Sequence, residues 1–216
     1  MTAEHATTRA PERQGRRAMS ETRRNLQRME IARAAVRLFR EQGVSETSGE
    51  QIAASVGLSV RTLWRYFRNK ESCVEPLLAR AVDTLVDTLK GWPADQSLED
   101  YLLVGEPPEH ADADAEAALA VVRMSHEEPA LRAIWLATHE RAEAVLAELV
   151  AVRLDRSPED LVVRVQAGTI NTALRLTLED LAVADCTEGR AMGDGPARFS
   201  EAIRAATHGV LGSRTM

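Results

Sequence analysis

The chain has 216 residues, a formal net charge of −6 and 44% hydrophobic residues, enough for one large helical domain or a small domain joined to a bigger one. Cys73 and Cys186 stand far apart with no partner at metal-ligand spacing, so neither a disulfide framework nor a zinc site is indicated. The Arg-rich start lacks the apolar stretch of a secretory signal, and no run reaches the roughly 18 apolar residues of a membrane span, so a reducing cytoplasm is the expected setting.

The charges are unevenly placed: residues 1–80 hold 15 Lys and Arg against 9 Asp and Glu, whereas the other 136 residues hold 12 against 24. A basic first third joined to an acidic remainder suggests that one part meets phosphates and the other does not, although a solvated charged face would give the same count.

Residues 1–20 are polar and Arg-rich, without apolar periodicity, and read as a disordered basic arm. Its arginines, at 9, 13, 16 and 17, suit either a solvated tail or an arm that reaches a minor groove. From Thr22 the pattern turns helical: Ile31, Ala35, Leu38 and Phe39 recur on one face, Arg33, Arg37 and Arg40 take the other, and Gly43 ends a helix over about 22–41. Ser48, with Gln51 three residues on, is arranged to cap a short helix over about 49–55. Gly57 breaks it, and Ser59 caps a third helix that runs to about Phe67. Asn69 then caps a fourth helix, Lys70 to about Lys90, which Gly91-Trp92-Pro93 terminates. Further helices are expected over about 97–104, 111–126, 129–153, 158–183 and 196–211, with loops at 105–110 and 187–195 and no strand.

Residues 48–67 carry the chemistry. Two helices crossing over a tight turn need a small residue at the crossing, a turn residue tolerant of unusual backbone angles and apolar anchors, and Ala53, Gly57 and Leu63 supply these in order. Ile52, Val56 and Phe67 can bury against Ile31, Leu38 and Phe39, which leaves the opposite face of the third helix exposed. That face offers Ser59, Val60, Arg61, Thr62, Trp64, Arg65 and Tyr66, donors and apolar surface suited to base edges and phosphates.

The stretch from Ile31 through Phe39, Gly43, and then Gln51 to Glu71 resembles the N-terminal signature of the TetR family of bacterial transcription regulators, over about a quarter of the chain. The resemblance implies an all-α protein: a helix-turn-helix DNA-binding domain at 21–68 and a helical ligand-binding and dimerisation domain at 69–216. It implies a homodimer, paired through the last two helices, that sets its third helices in successive major grooves, about 34 Å apart, on near-palindromic double-stranded operator DNA. Carried over by position, Ser48, Ser59, Arg61, Thr62 and Arg65 become candidates for base or nearby phosphate contact, and Trp64, Tyr66 and Lys70 for phosphate contact. Trp64 stands where the family usually has tyrosine, and Cys73 where it often has leucine.

In the second domain, Leu131, Trp135, Thr138, Ala142, Val145 and Leu149 form an apolar stripe that suits a core. A pocket for a small-molecule effector of unknown identity would use the same residue types plus a few polar groups, and Met124, Trp135, His139, Asn171 and Arg175 are the candidates. His126 and His139 lack a second ligand at i+4, so no metal is expected. Cys73 reads as a small buried apolar residue, and Cys186 is open to solvent or not. No glycine-rich phosphate loop, serine or cysteine nucleophile signature or paired-ligand metal motif is present, so an enzyme is not expected, nor any cofactor. An adaptor that keeps the helix-turn-helix shape without reading DNA is the other alternative, and the Arg61, Arg65 and Lys70 set speaks against it.

Overall fold

Apolar residues recur through the chain at three- and four-residue spacing, and in the computed structural model, which describes residues 10–93, 95–98, 100–101, 113–188 and 195–208, they build helices alone; no strand occurs among the described residues. Helix α1 (Ala10–Gln42) buries Ile31, Ala35 and Phe39 against α2 (Gly49–Ser55) and α3 (Val60–Tyr66). Ile52, Ala53, Leu63 and Phe67 close this small core, while Leu38 and Val56 sit half-buried at its edge.

The caps follow the sequence. Ser48 Oγ accepts the Gln51 amide at 3.2 Å while Gln51 Oε1 accepts the Ser48 amide at 2.7 Å, so two free donors at the start of α2 are satisfied reciprocally. Ser59 Oγ accepts the Thr62 amide at 3.2 Å and starts α3. Between the two helices Gly57 adopts φ +66°, a left-handed conformation that a side chain would strain.

The first helix begins at Ala10, not near Thr22, and residues 10–20 continue it where a disordered arm was expected; residues 1–9 lie outside the described ones. Apart from Gly15 and Ser20 the extension is built mainly of Ala, Arg, Glu, Gln and Met, with Pro11 in the first turn, and extending a formed helix by good helix formers costs far less than nucleating one.

After α3 the chain makes a 3₁₀ turn (Glu71–Val74) and enters α4 (Glu75–Lys90), so the expected start at Lys70 moves five residues on. Pro76, which has no amide hydrogen, occupies the first turn of α4, where none is needed, and the α-helical ladder starts there. Asn69 Oδ1 accepts the Ser72 amide at 2.9 Å, capping the 3₁₀ turn instead. Beyond come α5 (Ala113–Met124), α6 (Pro129–Leu154), α7 (Leu161–Glu188) and α8 (Gly195–His208). The start of α7 also moves, from about 158 to Leu161: Ser157 Oγ accepts the Glu159 amide in the preceding turn, and Asp160 Oδ1 accepts the Val162 amide at the start of the helix. Most of the expected helix at 97–104, the loop at 105–110, residues 189–194 and Val210 and Leu211 lie outside the described residues.

One apolar core runs from the head into the body. Leu63 and Phe67 belong to the same buried cluster as Cys73, Val74 and Leu77, and the core continues through Leu119, Val122, Leu131, Trp135, Leu146 and Leu174 to Phe199 and Ile203. α6 and α7 pack on each other, α8 on α7, α4 on α5 and α6, and α1 reaches both α4 and α5. Cys73 is buried, and its thiol is pushed up to about 12, chiefly by burial and then by Glu71 and Glu75, which keeps it unreactive as expected. The side chain of Cys186 lies outside the described residues.

Candidate nucleic-acid interface

The inner face of α3 is fixed by Leu63, and the outer face is left to solvent. Ser59, Arg61, Trp64 and Arg65 are exposed, and Val60, Thr62 and Tyr66 are half-buried beside them. Six of the eight sequence candidates are therefore brought together on one helix and its cap. The Ser59 and Thr62 hydroxyls lie 2.8 Å apart, so they present donors and acceptors as a pair. Ser48 stands half-buried at the head of the adjacent helix, where accepting the Gln51 amide leaves its O–H to donate outward.

Trp64 has a double environment. It is 41% exposed, yet a Cβ placed on Gly49 would lie 2.2 Å from Trp64 Cζ2 and 2.5 Å from Cη2. The benzo edge of the indole thus rests on the backbone at the start of α2, and only glycine there allows the two helices to approach so closely.

Lys70 is placed otherwise than the sequence suggested. Its Nζ donates to the carbonyl oxygens of Val44 (2.7 Å), Ser45 (3.2 Å) and Thr47 (2.8 Å), so its three N–H bonds pin the loop between α1 and α2. Thr47 Oγ1 donates to Gly43 O at 2.7 Å, and Gln42 Nε2 bonds Thr47 Oγ1 and Gln51 Oε1. The ammonium is turned toward this loop, not presented at a helix terminus for an anion.

Aromatic faces gather arginines at the end of α3. The Arg24 guanidinium lies 6.0 Å and that of Arg65 5.5 Å from the Tyr66 ring centroid, and Arg28 lies 5.2 Å from that of Phe67.

Of the five effector candidates, four converge between α6 and α7. Trp135 and His139 are buried in edge contact, with ring centroids 4.2 Å apart. His139 Nδ1 lies 2.8 Å from Asn171 Oδ1, and Asn171 Nδ2 donates to His139 O at 3.0 Å. Glu179 Oε1 accepts from Trp135 Nε1 (2.9 Å), Arg132 Nη1 (2.6 Å) and Arg175 Nη1 (3.0 Å). Burial alone would raise the Glu179 carboxyl, but the bonds from Trp135, Arg132 and Arg175 outweigh it and hold it below its ordinary value. Burial lowers His139 against the opposing Asn171 bond, so the imidazole is held neutral. Its Nε2 is buried without a hydrogen-bond partner.

Met124 is not part of this cluster. It borders a separate groove of about 360 Å³ with Phe39, Arg40, Val44 and Glu127. A larger groove of about 810 Å³ lies between α1, α4 and α6, lined by Arg28, Met29, Asp83, Val86, Thr138 and Arg141, and none of the five candidates borders it. Glu179 and Arg132 were missed in the sequence; their one local signal is the i,i+4 spacing of Arg175 and Glu179.

A second feature was also missed. Asp114, only 5% exposed at the start of α5, accepts from Arg33 Nε (2.6 Å) and Nη2 (2.8 Å) on α1 and from Arg80 Nη1 (2.5 Å) on α4. The Arg33 hydrogen bonds, ahead of the charges of Arg33 and Arg80, hold its carboxyl below the usual carboxylate range against the cost of burial. Head and body are thus joined by ions as well as by apolar packing. Among the described residues no group of His, Cys, Asp and Glu could hold a metal, and no helix is long and apolar enough to cross a membrane.

Comparison with known proteins agrees with this geometry. Residues 31–77 match the model of bacterial regulatory proteins of the tetR family, and residues 104–189 match that of the MftR C-terminal domain, a TetR C-terminal type; together they cover more than half of the chain. The chain is 28% identical over 134 residues to the HTH-type transcriptional regulator TcmR of Streptomyces glaucescens, a match over 58% of this chain that spans only 59% of the relative's length. Its fold is similar to that of Salmonella enterica GusR (TM-score 0.53, 20% identity, covering 86% of this chain and 95% of that one). It is also similar to Thermus thermophilus FadR, a TetR-family transcriptional repressor solved with lauroyl-CoA (TM-score 0.52, 20% identity, 87% and 97% covered). The head with its exposed α3, the helical body behind it and these matches agree: the chain belongs to the TetR family of bacterial regulatory proteins.

Proposed function

We propose that the protein is a ligand-responsive transcriptional repressor that binds a near-palindromic operator as a homodimer. The observation that carries this reading is the outward face of α3: Leu63 is buried and holds the helix, while Ser59, Arg61 and Arg65 stand in solvent with no core to serve. Arg61, Arg65 and the Ser59–Thr62 hydroxyl pair supply the donors that base edges and nearby phosphates require, and the exposed edge of Trp64, with Tyr66 and Ser48, flanks them. Lys70 serves this interface indirectly, by fixing the loop that carries Ser48.

Dimerisation through α7 and α8 is supported by an apolar stripe that the single chain leaves uncovered. Leu161, Val165, Leu176 and Val183 are all at least half exposed and lie within one narrow angular sector of α7. An effector that favours the geometry unable to span two grooves would release DNA by as much free energy as operator binding opposes it. The polar cluster of Trp135, His139, Asn171 and Arg175 is the part of the body best provided to sense one, since it couples α6 and α7 through a carboxylate shared by two arginines.

The test is a gel shift with duplexes selected from a randomised pool, at low salt. Wild type is expected to enrich a near-palindromic site, and Arg61→Ala to lose preference at one position of each half-site. Failure of the purified protein to retain any duplex would end the reading.

A further inference from the structure

We propose that the N-terminal half of α1 is a second DNA-contacting surface, a helical arginine-bearing extension that follows the phosphate backbone beside the bases met by α3. The inference rests on the DNA-binding reading above and adds to it a site outside the helix-turn-helix.

Helix α1 begins at Ala10, and from residue 21, where its side chains are described, the first buried one is Ile31. Residues 21–26 are all exposed, so this length of helix is not packed on the core. Between residues 10 and 28 the sequence places six arginines, at 13, 16, 17, 23, 24 and 28, against two glutamates, at 12 and 21. A helix without an apolar face and with a surplus of like charge is poorly supported by itself, because isolated helices gain little from propensity and like charges at i,i+4 repel. A polyanion alongside it would reverse that balance.

Position singles out DNA as that polyanion. Arg24 faces the Tyr66 ring that Arg65 also faces, and Arg28 covers Phe67, so the extension leaves the head at the very end of α3. Arg24, Tyr66 and Arg65 form one continuous surface, and the extension prolongs it away from the core. Helical spacing puts positions 13, 17 and 24 in one register, within a sector of about 40° at 100° per residue. Ala10 to Arg24 spans about 21 Å of helix, the length of about six base pairs along a duplex. An α-helix, about 10 Å across, is too wide for the minor groove of about 6 Å, so the contact made is with phosphates and not with minor-groove bases. The helical state of residues 10–20 thus replaces the groove-inserting arm that the sequence allowed.

The experiment compares the full-length wild type with an Arg13→Ala/Arg17→Ala/Arg24→Ala variant and its Lys counterpart. Each is measured on the selected operator with long flanks and on the same operator trimmed to its palindrome, across a salt series. Three phosphate contacts per protomer predict that the Ala variant's salt slope falls by up to about five for the dimer, at about 0.9 per phosphate. Its affinity at physiological salt should drop at least about tenfold with unchanged base preference, the lysine variant should retain most of both, and trimming should weaken the wild type but not the Ala variant. Circular dichroism checks that each variant is folded. Equal slopes and affinities for wild type and a folded Ala variant on the long duplex overturn the proposal while leaving the regulator reading standing, provided Arg61→Ala still loses preference. If the wild type binds neither duplex, both fall together.

Discussion

Replacing Asp114 by asparagine keeps the shape of the side chain and removes the charge that joins three helices. Asp114 is almost fully buried and accepts three charge-assisted bonds, two from Arg33 and one from Arg80, whereas the two arginines are 53% and 49% exposed. Breaking a fully buried pair costs about 3–5 kcal/mol, since a charge is stranded, but here the stranded charges can turn to water. One asparagine oxygen can also retain one bond. A loss of about 2 kcal/mol is expected, which for a chain of this size lowers Tm by about 4–8 °C. The direction of pH dependence follows from the lowered Asp114 carboxyl: its contribution is fully present above the unfolded-state value near 4 and is lost as pH falls through the lower folded-state value. Thermal melts of wild type and Asp114→Asn should therefore differ by a constant amount from pH 8 to pH 5 and converge below about pH 4. Non-additivity with Arg33→Ala in a double-mutant cycle isolates the ion pair. A variant that melts within about 1 °C of wild type at pH 7 would refute the claim that this carboxylate fastens head to body.

Gly49→Ala forces the Trp64 ring to move, because the added carbon falls 2.2 Å from Cζ2, and should cost about 1–3 kcal/mol and weaken operator binding; the double variant with Trp64→Ala should recover stability in a melt, and failure to recover would place the strain elsewhere. Lys70→Met removes the donor to three carbonyls and should cost about 1–3 kcal/mol in a urea titration; lost DNA affinity at unchanged stability would instead make Lys70 a direct phosphate ligand. His139 is held neutral with a lowered pKa, so its contribution is intact above the unfolded value near 6.5 and declines as pH falls below it; His139→Gln, which keeps a partner for Asn171, should flatten the Tm profile below about pH 6.5. Val165→Asp with Leu176→Asp should convert a dimer into a folded monomer in sedimentation, and a dimer that survives would move the interface off this face of α7.

What could be seen in the sequence is what is encoded within a few residues. The box at Ser48 and Gln51, the turn at Gly57 and the burial of Ile52, Ala53 and Leu63 all depend on neighbours three to five positions away, and the structure places them as expected. The start of α4 could not be set that finely, because Asn69, Pro76 and a 3₁₀ turn compete for the same first turn. The extension of α1 carries no apolar period and so reads as unstructured, although residues of high helix propensity follow one another there. The ion pairs were out of reach: Asp114 meets Arg33 across 81 positions, and Lys70 meets carbonyls more than twenty positions upstream, which no side-chain pattern announces. The effector candidates were chosen as polar groups on apolar helices, and four of the five do meet. Met124 shares their helical pattern but borders a different groove, because α5 turns it toward the end of α1.

These long-range pairs also change the meaning of the charge count. Of the basic residues in the first 80 positions, Arg33 and Arg80 are committed to Asp114, Arg28 faces Glu75 at 3.7 Å, and Lys70 is turned to backbone carbonyls. The surplus that first pointed to nucleic acid is partly internal wiring. Among the basic residues that remain toward solvent, Arg61 and Arg65 lie on α3 and Arg24 meets the Tyr66 ring at its end, so the position of these charges, and not the net charge of the head, shapes the field at that surface. The internal pairs have a different consequence. α4 is held to the body and to α1 by Asp114, and the segment leading into it is held to the α1–α2 loop by Lys70, so a displacement of α4 must either carry the head with it or break a charge-assisted bond. Any displacement of α4 would therefore act on the head through these two ionic joints as well as through the continuous apolar core.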